Sequence, residues 1–321
     1  MGISVIKPGL FSTIQDLGRA GYRKDGIIVS GAMDQMALRI GNLLLGNSEE
    51  LAGIECTLNG PELLFDSDQL IAITGADLSV HMDGKVLKMW RPVLVRKGSV
   101  LSFGAAIKGC RTYIAVAGGF DIPRVLNSQS TYLKAAFGGF EGRALKKGDY
   151  ISFNRDYEGK NPKSNWTVDL NEIYPIGSRS VVRIVAGPEY DWFDEQTKQD
   201  LMTKEFRLSK DADRMGYRME GPDLSLNQPK ELLSSAVAFG TIQVTGSGSP
   251  IVLMADHQTT GGYPRIAQVI TVDHSILAQL RAGQAIRFEL ISLVDAHELL
   301  KLRVRQIKQL KHALMLKEIV Q

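Results

Sequence analysis

One eight-residue pattern occurs three times along this chain and constrains its fold more than any other feature. The pattern reads basic-x-Gly-x-x-aliphatic-x-Phe, and its copies are RKGSVLSF (96–103), KKGDYISF (146–153) and RAGQAIRF (281–288). The glycine permits a tight turn, and the aliphatic residue and the Phe, two positions apart, face the same side of a strand. Because two copies lie in the first half and one near the end, the pattern predicts two similar β domains.

A shorter echo supports this prediction. Thr13-Ile14-Gln15 and Thr241-Ile242-Gln243 share a tripeptide, and each is followed three residues later by a glycine.

Short strand signals dominate the rest of the chain. Runs of β-branched and apolar residues bounded by glycine or proline occur at 71–74, 113–116, 181–185 and 251–254. Asp83-Gly84 separates two further runs and predicts a hairpin, because both turn positions need a positive φ. We therefore expect a mainly β fold with a few helices.

Helical spacing predicts three helices and helps to divide the chain. The first covers about 32–45, the second 190–202, and the third begins at Asp295, whose carboxylate is expected to accept from first-turn amides. The segment EGKNPKSN interrupts the strand pattern, which predicts domains at 1–175 and 176–292 and an amphipathic helix at 293–321. The predicted apolar stripe of that helix is Leu300, Val304, Ile307, Leu310 and Leu314.

Composition narrows the class of protein. The chain has 321 residues, is 44% hydrophobic and 23% charged, and carries a net charge of +3, too small to indicate a nucleic-acid partner. No run approaches the roughly 20 apolar residues that span a bilayer, and the N-terminus lacks the pattern of a signal peptide. Cys56 and Cys110 have no metal-binding or redox spacing. These features predict a cytoplasmic protein without a membrane partner or a metal site.

The common catalytic motifs are missing. The sequence has no P-loop, no dinucleotide fingerprint and no nucleophile elbow, and His297-Glu298 lacks the second histidine of a zinc-protease helix. Four polar segments remain, at 12–34, 115–149, 209–221 and 255–272. Each combines glycines, which let backbone amides approach a ligand, with hydroxyls, amides and an Arg that can bind a carboxylate or phosphate. They predict a site for a small anionic substrate.

The candidate residues come from these segments and from the second TIQ tripeptide. Asp256 and Arg265 are the candidate catalytic residues. The candidate substrate-binding residues are Gln15, Asp16, Arg19, Ser30, Asp34, Ser130, Thr131, Asp213, Arg214, Gln243, Gln258, Thr259, Thr260, Gly261, Gly262 and Tyr263.

Plainer interpretations stay open beside this one. Glycine-rich polar segments are also typical of ordinary β turns, and Asp16–Arg19 and Asp213–Arg214 can be structural ion pairs. His257 is more typical of a structural histidine than of a metal ligand, because no companion ligands stand at suitable spacing.

The four segments resemble, in order, the signature segments of the allophanate hydrolase subunit 2 family. The matching stretches are TIQDLGRAGY with SGAMD, GGFDIP with STY, DRMGYRMEG, and GTIQV followed by PIVLMADHQTTGGYPRIAQVI. The similarity runs from Ile3 to about Phe288. Gln129 stands where the family pattern has Arg, which weakens any anion contact inferred for that position.

The resemblance implies two cyclophilin-like β-barrel domains plus a C-terminal helix, and a role as one component of an enzyme that is inactive alone. Members include the C subunit of 5-oxoprolinase, KipA and half of the carboxyltransferase domain of urea carboxylase. The implied partners are a B subunit, which is the subunit 1 homologue, together with a LamB/YcsF-like A subunit. The three would open 5-oxoproline to glutamate with ATP as the cofactor of the complex, and this chain has no biotin-acceptor motif.

Within that interpretation Asp256 orients a group or accepts a proton, and Arg265 binds a carboxylate or phosphate. Two alternatives remain open. One is a regulatory protein that, like KipA, binds the subunit 1 homologue and relieves its inhibition of a kinase. The other is a component of a biotin-dependent carboxyltransferase.

Overall fold

The computed structural model describes residues 1–157, 168, 174 and 180–320. The chain divides into two compact units, of which the first comprises Met1–Arg19, Ser30–Ile176 and Gln306–Gln321, and the second Ala20–Val29 and Gly177–Arg305. The predicted domain boundary between 175 and 176 lies outside the described residues. Strands far outnumber helices in both units, which confirms the predicted mainly β class.

The first unit contains two antiparallel sheets. One has the strand order β11-β1-β4-β9-β6-β7 and the other β2-β3-β10-β5-β8. The strands are β1 (Gly2–Lys7), β2 (Phe11–Gln15), β3 (Gly53–Thr57), β4 (Glu62–Phe65), β5 (Gln69–Asp77), β6 (Val80–Met82), β7 (Lys85–Val86), β8 (Pro92–Val95), β9 (Val100–Phe103), β10 (Lys108–Val116) and β11 (Tyr150–Ser152).

The continuous apolar runs in β5 and β10 arise because these strands are buried on both faces. On β10, Ile114 and Val116 enter a core shared with residues of both sheets, whereas Tyr113 and Ala115 pack in a second cluster with helix α1 (Gln35–Leu44). The Asp34 carboxylate accepts the Ala37 N–H at 3.1 Å, so Asp34 precedes α1 as its N-cap. The first predicted helix is therefore confirmed, with shorter ends.

The predicted hairpin at Asp83-Gly84 is also confirmed. β6 and β7 pair antiparallel with His81 opposite Val86, and the two turn residues have φ values of 51° and 76°. Both values lie in the left-handed region that a two-residue turn of this type requires.

The second unit contains a closed barrel of seven strands in the order β12-β19-β16-β17-β14-β13-β20, and a separate ribbon of β15 and β18. The strands are β12 (Val181–Ala186), β13 (Phe206–Leu208), β14 (Gly216–Glu220), β15 (Ser235–Ala236), β16 (Thr241–Val244), β17 (Pro250–Leu253), β18 (Thr260–Gly261), β19 (Arg265–Val269) and β20 (Ala285–Leu290). The barrel closes through a parallel pairing of β12 with β20, and alternate residues such as Ile286 and Phe288 fill its interior.

The second predicted helix is divided. A 3-10 turn at Tyr190–Trp192 is followed by extended backbone at Phe193, and α2 (Glu195–Thr203) begins after Asp194. The helix cannot run through because the Asp194 carboxylate accepts the Thr197 N–H at 2.6 Å and so starts a new helix. A short helix that the sequence did not predict, α3 (His274–Ala278), follows β19.

All three copies of the eight-residue pattern form the same turn. The glycines Gly98, Gly148 and Gly283 have φ values of 86°, 90° and 83°. Their N–H groups donate to carbonyl oxygens of another segment of the same unit, at Phe65, Val5 and Leu208 respectively, at 2.7–2.8 Å. The strands β9, β11 and β20 follow directly, so the predicted turn and strand are confirmed in each copy.

The C-terminal helix α4 (Leu293–Val320) differs from its prediction in two respects. Its first turn is capped by Ser292, whose hydroxyl accepts the Asp295 N–H at 3.0 Å, so the capping role predicted for Asp295 is wrong. The predicted stripe holds only from Ile307 onward, because Leu300 and Val304 are exposed. Within the described part of the chain, no helix combines the length and apolar character needed to span a bilayer.

Candidate functional site

Asp16 organises the polar centre of the first unit. Its buried carboxylate accepts hydrogen bonds from the backbone N–H groups of Gly18 (2.8 Å) and Gln129 (2.6 Å), and from the hydroxyls of Ser128 (2.7 Å) and Ser130. One carboxylate therefore fastens the first polar segment to the second. A charged acceptor with several donors is a strong anchor, because each such bond is shorter and stronger than a neutral one.

Arg19 lies beside this anchor and is fully buried. Its Nη2 donates to the carbonyl oxygen of Ser130, and its guanidinium carbon lies 4.7 Å from the centre of the Phe137 ring. Gly138 has a φ of 69°, and a Cβ there would lie 2.2 Å from the Ser130 oxygen and 2.7 Å from Nη2 of Arg19. Gly138 is thus required first by the close approach of the Ser130 carbonyl oxygen and then by that of the Arg19 side chain.

The side chains of Gln15 and Ser30 both bond to the backbone of Thr131. The carbonyl oxygen of Thr131 accepts from Nε2 of Gln15 at 3.3 Å and from the Ser30 hydroxyl at 3.2 Å. Ser30 has a φ of 57°, an uncommon backbone conformation for a residue other than glycine. Oε1 of Gln15 is buried and has no hydrogen-bond partner among the described residues. This centre therefore presents a buried acceptor suited to an N–H donor.

Asp34 lies apart from these contacts, at the start of α1. Besides capping the helix, its carboxylate accepts the Tyr174 hydroxyl, and its N–H donates to the Tyr113 hydroxyl at 2.7 Å. Burial is the main reason that the pKa of Tyr113 is raised, and the negative charges of Glu55 and Asp34 add to the effect. Asp34 therefore has an architectural position, and its predicted ligand contact stays a prediction.

In the second unit, Arg265 is engaged by a residue that the sequence did not indicate. Its Nε and Nη2 donate to the two oxygens of Glu189 at 2.8 and 2.7 Å, and its Nη1 donates to the carbonyl oxygen of Ala236 at 2.8 Å. Glu189 lies 76 positions earlier in the chain, and no local motif links it to Arg265. Arg265 therefore joins β19 to the ribbon strand β15, and its predicted anion contact stays a prediction.

Asp256 is likewise paired. Arg214 donates from Nε and Nη2 to its two oxygens at 2.8 and 3.0 Å, and both side chains are buried. Asp213, the neighbour of Arg214, accepts instead from the N–H groups of Met215 and Gly216 in a turn. The third and fourth polar segments are thus joined by an ion pair of Arg214 with Asp256, not of Arg214 with Asp213.

The remaining candidates lie on or beside the ribbon. Gln243 donates from Nε2 to the carbonyl oxygen of Tyr263 at 3.1 Å, and a Cβ on Gly261 would lie 2.5 Å from that nitrogen. Gly261 therefore makes room for Gln243. The side of this segment that reaches the surface is formed by Gln258, Thr260, Gly262 and Tyr263.

A cleft of about 1010 Å³ opens beside Gly262 of the fourth polar segment. Its walls include Gly262 and Tyr263, the turn residues Thr245 and Ser247, and Lys230. The Lys230 ammonium lies 4.6 Å from the centre of the Trp192 ring. The cleft gives the fourth polar segment an open face with hydroxyl groups, one lysine and the carboxylates of Asp223 and Glu231.

His257 is buried, and its Nδ1 lies 2.6 Å from the carbonyl oxygen of Gln258. Burial lowers the pKa of His257, and the positive charge of Arg23 lowers it further. No cluster of three or more His, Cys, Asp or Glu side chains suited to a metal ion occurs among the described residues.

Sixteen of the eighteen candidates form two groups, one in each unit, and Asp34 and Asp213 belong to neither group. The first group is Gln15, Asp16, Arg19, Ser30, Ser130 and Thr131, and the second is Arg214, Gln243, Asp256, Gln258, Thr259, Thr260, Gly261, Gly262, Tyr263 and Arg265. Glu189 and Arg23 lie beside the second group, and neither was predicted as a candidate from the sequence. Arg23 stands inside the first polar segment, which was a usable signal, whereas Glu189 had none.

Known proteins resemble this chain over nearly its whole length. The sequence matches the carboxyltransferase domain, subdomain A and B, family over residues 25–290. It is 45% identical to the C subunit of the 5-oxoprolinase of Haemophilus influenzae, covering 90% of this chain and 91% of that protein. It is 40% identical to the C subunit of the 5-oxoprolinase of Escherichia coli, covering 96% and 95%.

A solved structure agrees with these matches. The urea amidolyase of K. lactis is 27% identical and superposes with a TM-score of 0.89, over 96% of this chain and 20% of that one. The family match extends over most of the sequence, and the resemblance predicted from the four polar segments is confirmed. The chain belongs to the carboxyltransferase domain, subdomain A and B, family.

Proposed function

We propose that this chain is the C subunit of an ATP-dependent 5-oxoprolinase, which converts 5-oxo-L-proline to L-glutamate. Its partners would be a B subunit, homologous to subunit 1, together with a LamB/YcsF-like A subunit. The observation that carries the proposal is the similarity to two C subunits of 5-oxoprolinases over at least 90% of both chains. A match of that length spans most of both units.

Opening a five-membered lactam is unfavourable without coupling. In the proposed reaction, ATP would transfer its terminal phosphoryl group to the lactam oxygen and leave as ADP, after which water would attack the same carbon, open the ring and release phosphate. The protein must then position the ring and offer fixed donors where negative charge develops. In the first unit, the buried Oε1 of Gln15 suits the lactam N–H, because it otherwise stays without a donor among the described residues. The Asp16 carboxylate accepts the Gln129 N–H and the Ser130 hydroxyl, which fixes the segment that leads into Thr131.

The exposed side of the fourth segment, in the second unit, carries hydrogen-bonding groups of its own. Gln258, Thr260 and Gly262 are exposed there, and they carry an amide, a hydroxyl and a backbone N–H. Asp256 keeps this segment in place through its ion pair with Arg214.

The proposal also covers location and assembly. Cys56 and Cys110 are buried free thiols, which is consistent with the reducing cytoplasm. The names of the two relatives describe each as one subunit of its enzyme, which implies other subunits in those enzymes. We propose that ATP binds in the assembled complex and that no biotin is attached to this chain.

Reconstitution tests the proposal. The three subunits are co-expressed, purified and assayed for glutamate release from 5-oxoproline with ATP, and each subunit is omitted in turn as a control. We expect turnover only from the complete mixture. A complete, folded complex that releases no glutamate would exclude the proposed reaction.

A second candidate function is a component of a biotin-dependent carboxyltransferase. It is favoured by the superposition on the K. lactis urea amidolyase, of which this chain matches 20%. A biotinylated protein that co-purifies with this chain on an avidin blot, together with carboxyl transfer to urea, would support this function over the first.

A further inference from the structure

Three arginines bond to the fourth polar segment or at the ribbon of β15 and β18, and two of them are paired with carboxylates. Arg265 is held by both oxygens of Glu189, and Arg214 by both oxygens of Asp256. A guanidinium that already donates two parallel bonds to a carboxylate cannot use the same two nitrogens to bind a second anion in that way. The main role of Arg265 and Arg214 is therefore to stabilise the local structure.

Arg23 is the third, and its electrostatic situation differs. Arg23 begins the 3-10 turn Arg23–Asp25. This turn lies in Ala20–Val29, the N-terminal segment that belongs to the second unit. Nη2 of Arg23 donates to the carbonyl oxygen of Val237, the residue directly after β15. No carboxylate of the described residues forms an ion pair with Arg23, so its positive charge is not compensated by that part of the protein.

Arg23 lies close to the fourth polar segment. Val237, which accepts from Arg23, donates its own N–H to the carbonyl oxygen of Thr259 at 3.2 Å, so Arg23 lies at the end of the ribbon that carries Thr259 and Thr260. His257 is close enough for the Arg23 charge to act on it. Arg23 is half-buried, and in such a position a guanidinium interacts more strongly with an anion than it would in water.

We propose that Arg23 binds the carboxylate of the substrate and that Arg265, held by Glu189, positions the ribbon. This inference rests on the proposed function, because 5-oxo-L-proline carries one carboxylate on its ring. The bond from Arg23 to Val237 engages one nitrogen of the guanidinium, and its other N–H groups would bind the carboxylate.

The test compares a charged with a neutral substrate analogue in the three-subunit complex. Arg23→Gln keeps an N–H donor for Val237 but removes the charge, and Arg23→Lys restores the charge. The Michaelis constant is measured with the acid, 5-oxoproline, and the inhibition constant with its amide, 5-oxoprolinamide, in which a carboxamide replaces the carboxylate. We expect Arg23→Gln to raise the Michaelis constant for the acid about tenfold to a hundredfold, because a bond to a charged group is lost. The inhibition constant of the amide should change less than about twofold, and Arg23→Lys should recover part of the loss.

Lys24→Ala is the matched control, because Lys24 lies on the same turn, is exposed and carries the same charge. It should leave both constants unchanged. If Arg23→Gln weakens acid and amide equally, or weakens neither, the assignment of Arg23 is overturned while the proposed function stands. If the wild-type complex does not turn over 5-oxoproline, the proposed function itself is excluded and the assignment is excluded with it.

Discussion

The carboxylate of Glu189 accepts three hydrogen bonds from one residue, Arg265: from Nε at 2.8 Å, from Nη2 at 2.7 Å and from the backbone N–H at 3.0 Å. Burial alone would raise the pKa of the Glu189 carboxyl, but the bonds from Arg265 outweigh it and hold the pKa below its usual value. The pair joins the 3-10 segment before α2 to strand β19, and Arg265 extends the connection to Ala236. The pair therefore stabilises the structure at the second group of candidate residues.

Glu189→Gln should destabilise the second unit by about 2–3 kcal/mol, because it leaves a largely buried guanidinium without its counter-charge. The loss is somewhat smaller than for a fully buried pair, since the Arg265 side chain is 16% exposed. Urea unfolding of the purified chain measures it.

Glu205→Gln is the matched control. Glu205 pairs with Arg287 at 3.1 Å, but both side chains are about half exposed, and such pairs contribute about 0–1 kcal/mol. Equal unfolding midpoints for the two variants would contradict the importance assigned to Glu189.

The difference between Glu189 and the repeated glycine turns shows what a sequence of this kind can predict. Gly98, Gly148 and Gly283 were predictable because the turn, the glycine and the following strand are all encoded within eight residues. The bond from Glu189 to Arg265 joins residues 76 positions apart and depends on how the barrel closes, so local spacing carries no signal for it.

The two errors at the C-terminal helix have a similar cause. Ser292 and Asp295 are both good capping residues three positions apart, and only the backbone decides which one precedes the helix. Leu300 and Val304 continue the spacing of Ile307, but burial shifts to the face of Ala296 and Leu299 in the first half. Periodicity predicted the helix, whereas the packing partner determines which face is covered.

Gly138→Ala should disrupt the polar centre of the first unit and destabilise it by at least about 3 kcal/mol, through both overpacking and backbone strain. The new Cβ would lie 2.2 Å from the Ser130 oxygen and 2.7 Å from Nη2 of Arg19. Thermal unfolding by calorimetry measures the change.

Gly148→Ala separates the two contributions. Gly148 also has a positive φ, at 90°, but a Cβ there would meet nothing within 4 Å. Only the backbone cost of about 1–2 kcal/mol is expected. If both variants lose the same stability, the steric role of Gly138 towards Arg19 is refuted.

Asp16→Asn should loosen the attachment of the second polar segment. The amide retains one acceptor oxygen but cannot satisfy Gln129 N–H, Gly18 N–H and the two serine hydroxyls together. We expect the Gln129 N–H to exchange with deuterium at least about tenfold faster, as for the loss of a bond to a charged acceptor. Asp68→Asn is the control, since Asp68 accepts the Lys97 N–H on an exposed turn. An unchanged exchange rate at Gln129 in Asp16→Asn would contradict the anchoring role.

The stability of the chain should depend on pH through His274, which stacks on Phe239 with ring centres 4.4 Å apart and has a buried Nε2. Burial lowers the pKa of His274 to about 4, although a backbone bond with Val269 and the charge of Asp273 favour the protonated form. The unfolded chain binds this proton with a pKa near 6.5, so it takes up more protons between pH 6.5 and 4. The free energy of unfolding should therefore fall by up to about 3 kcal/mol as pH decreases through that range, and change no further through this group below about pH 4.

His274→Phe retains the ring stack and should remove that part of the pH dependence in urea titrations, with His297→Phe on the exposed helix surface as the control. Identical slopes for wild type and His274→Phe would show that the histidine is not responsible.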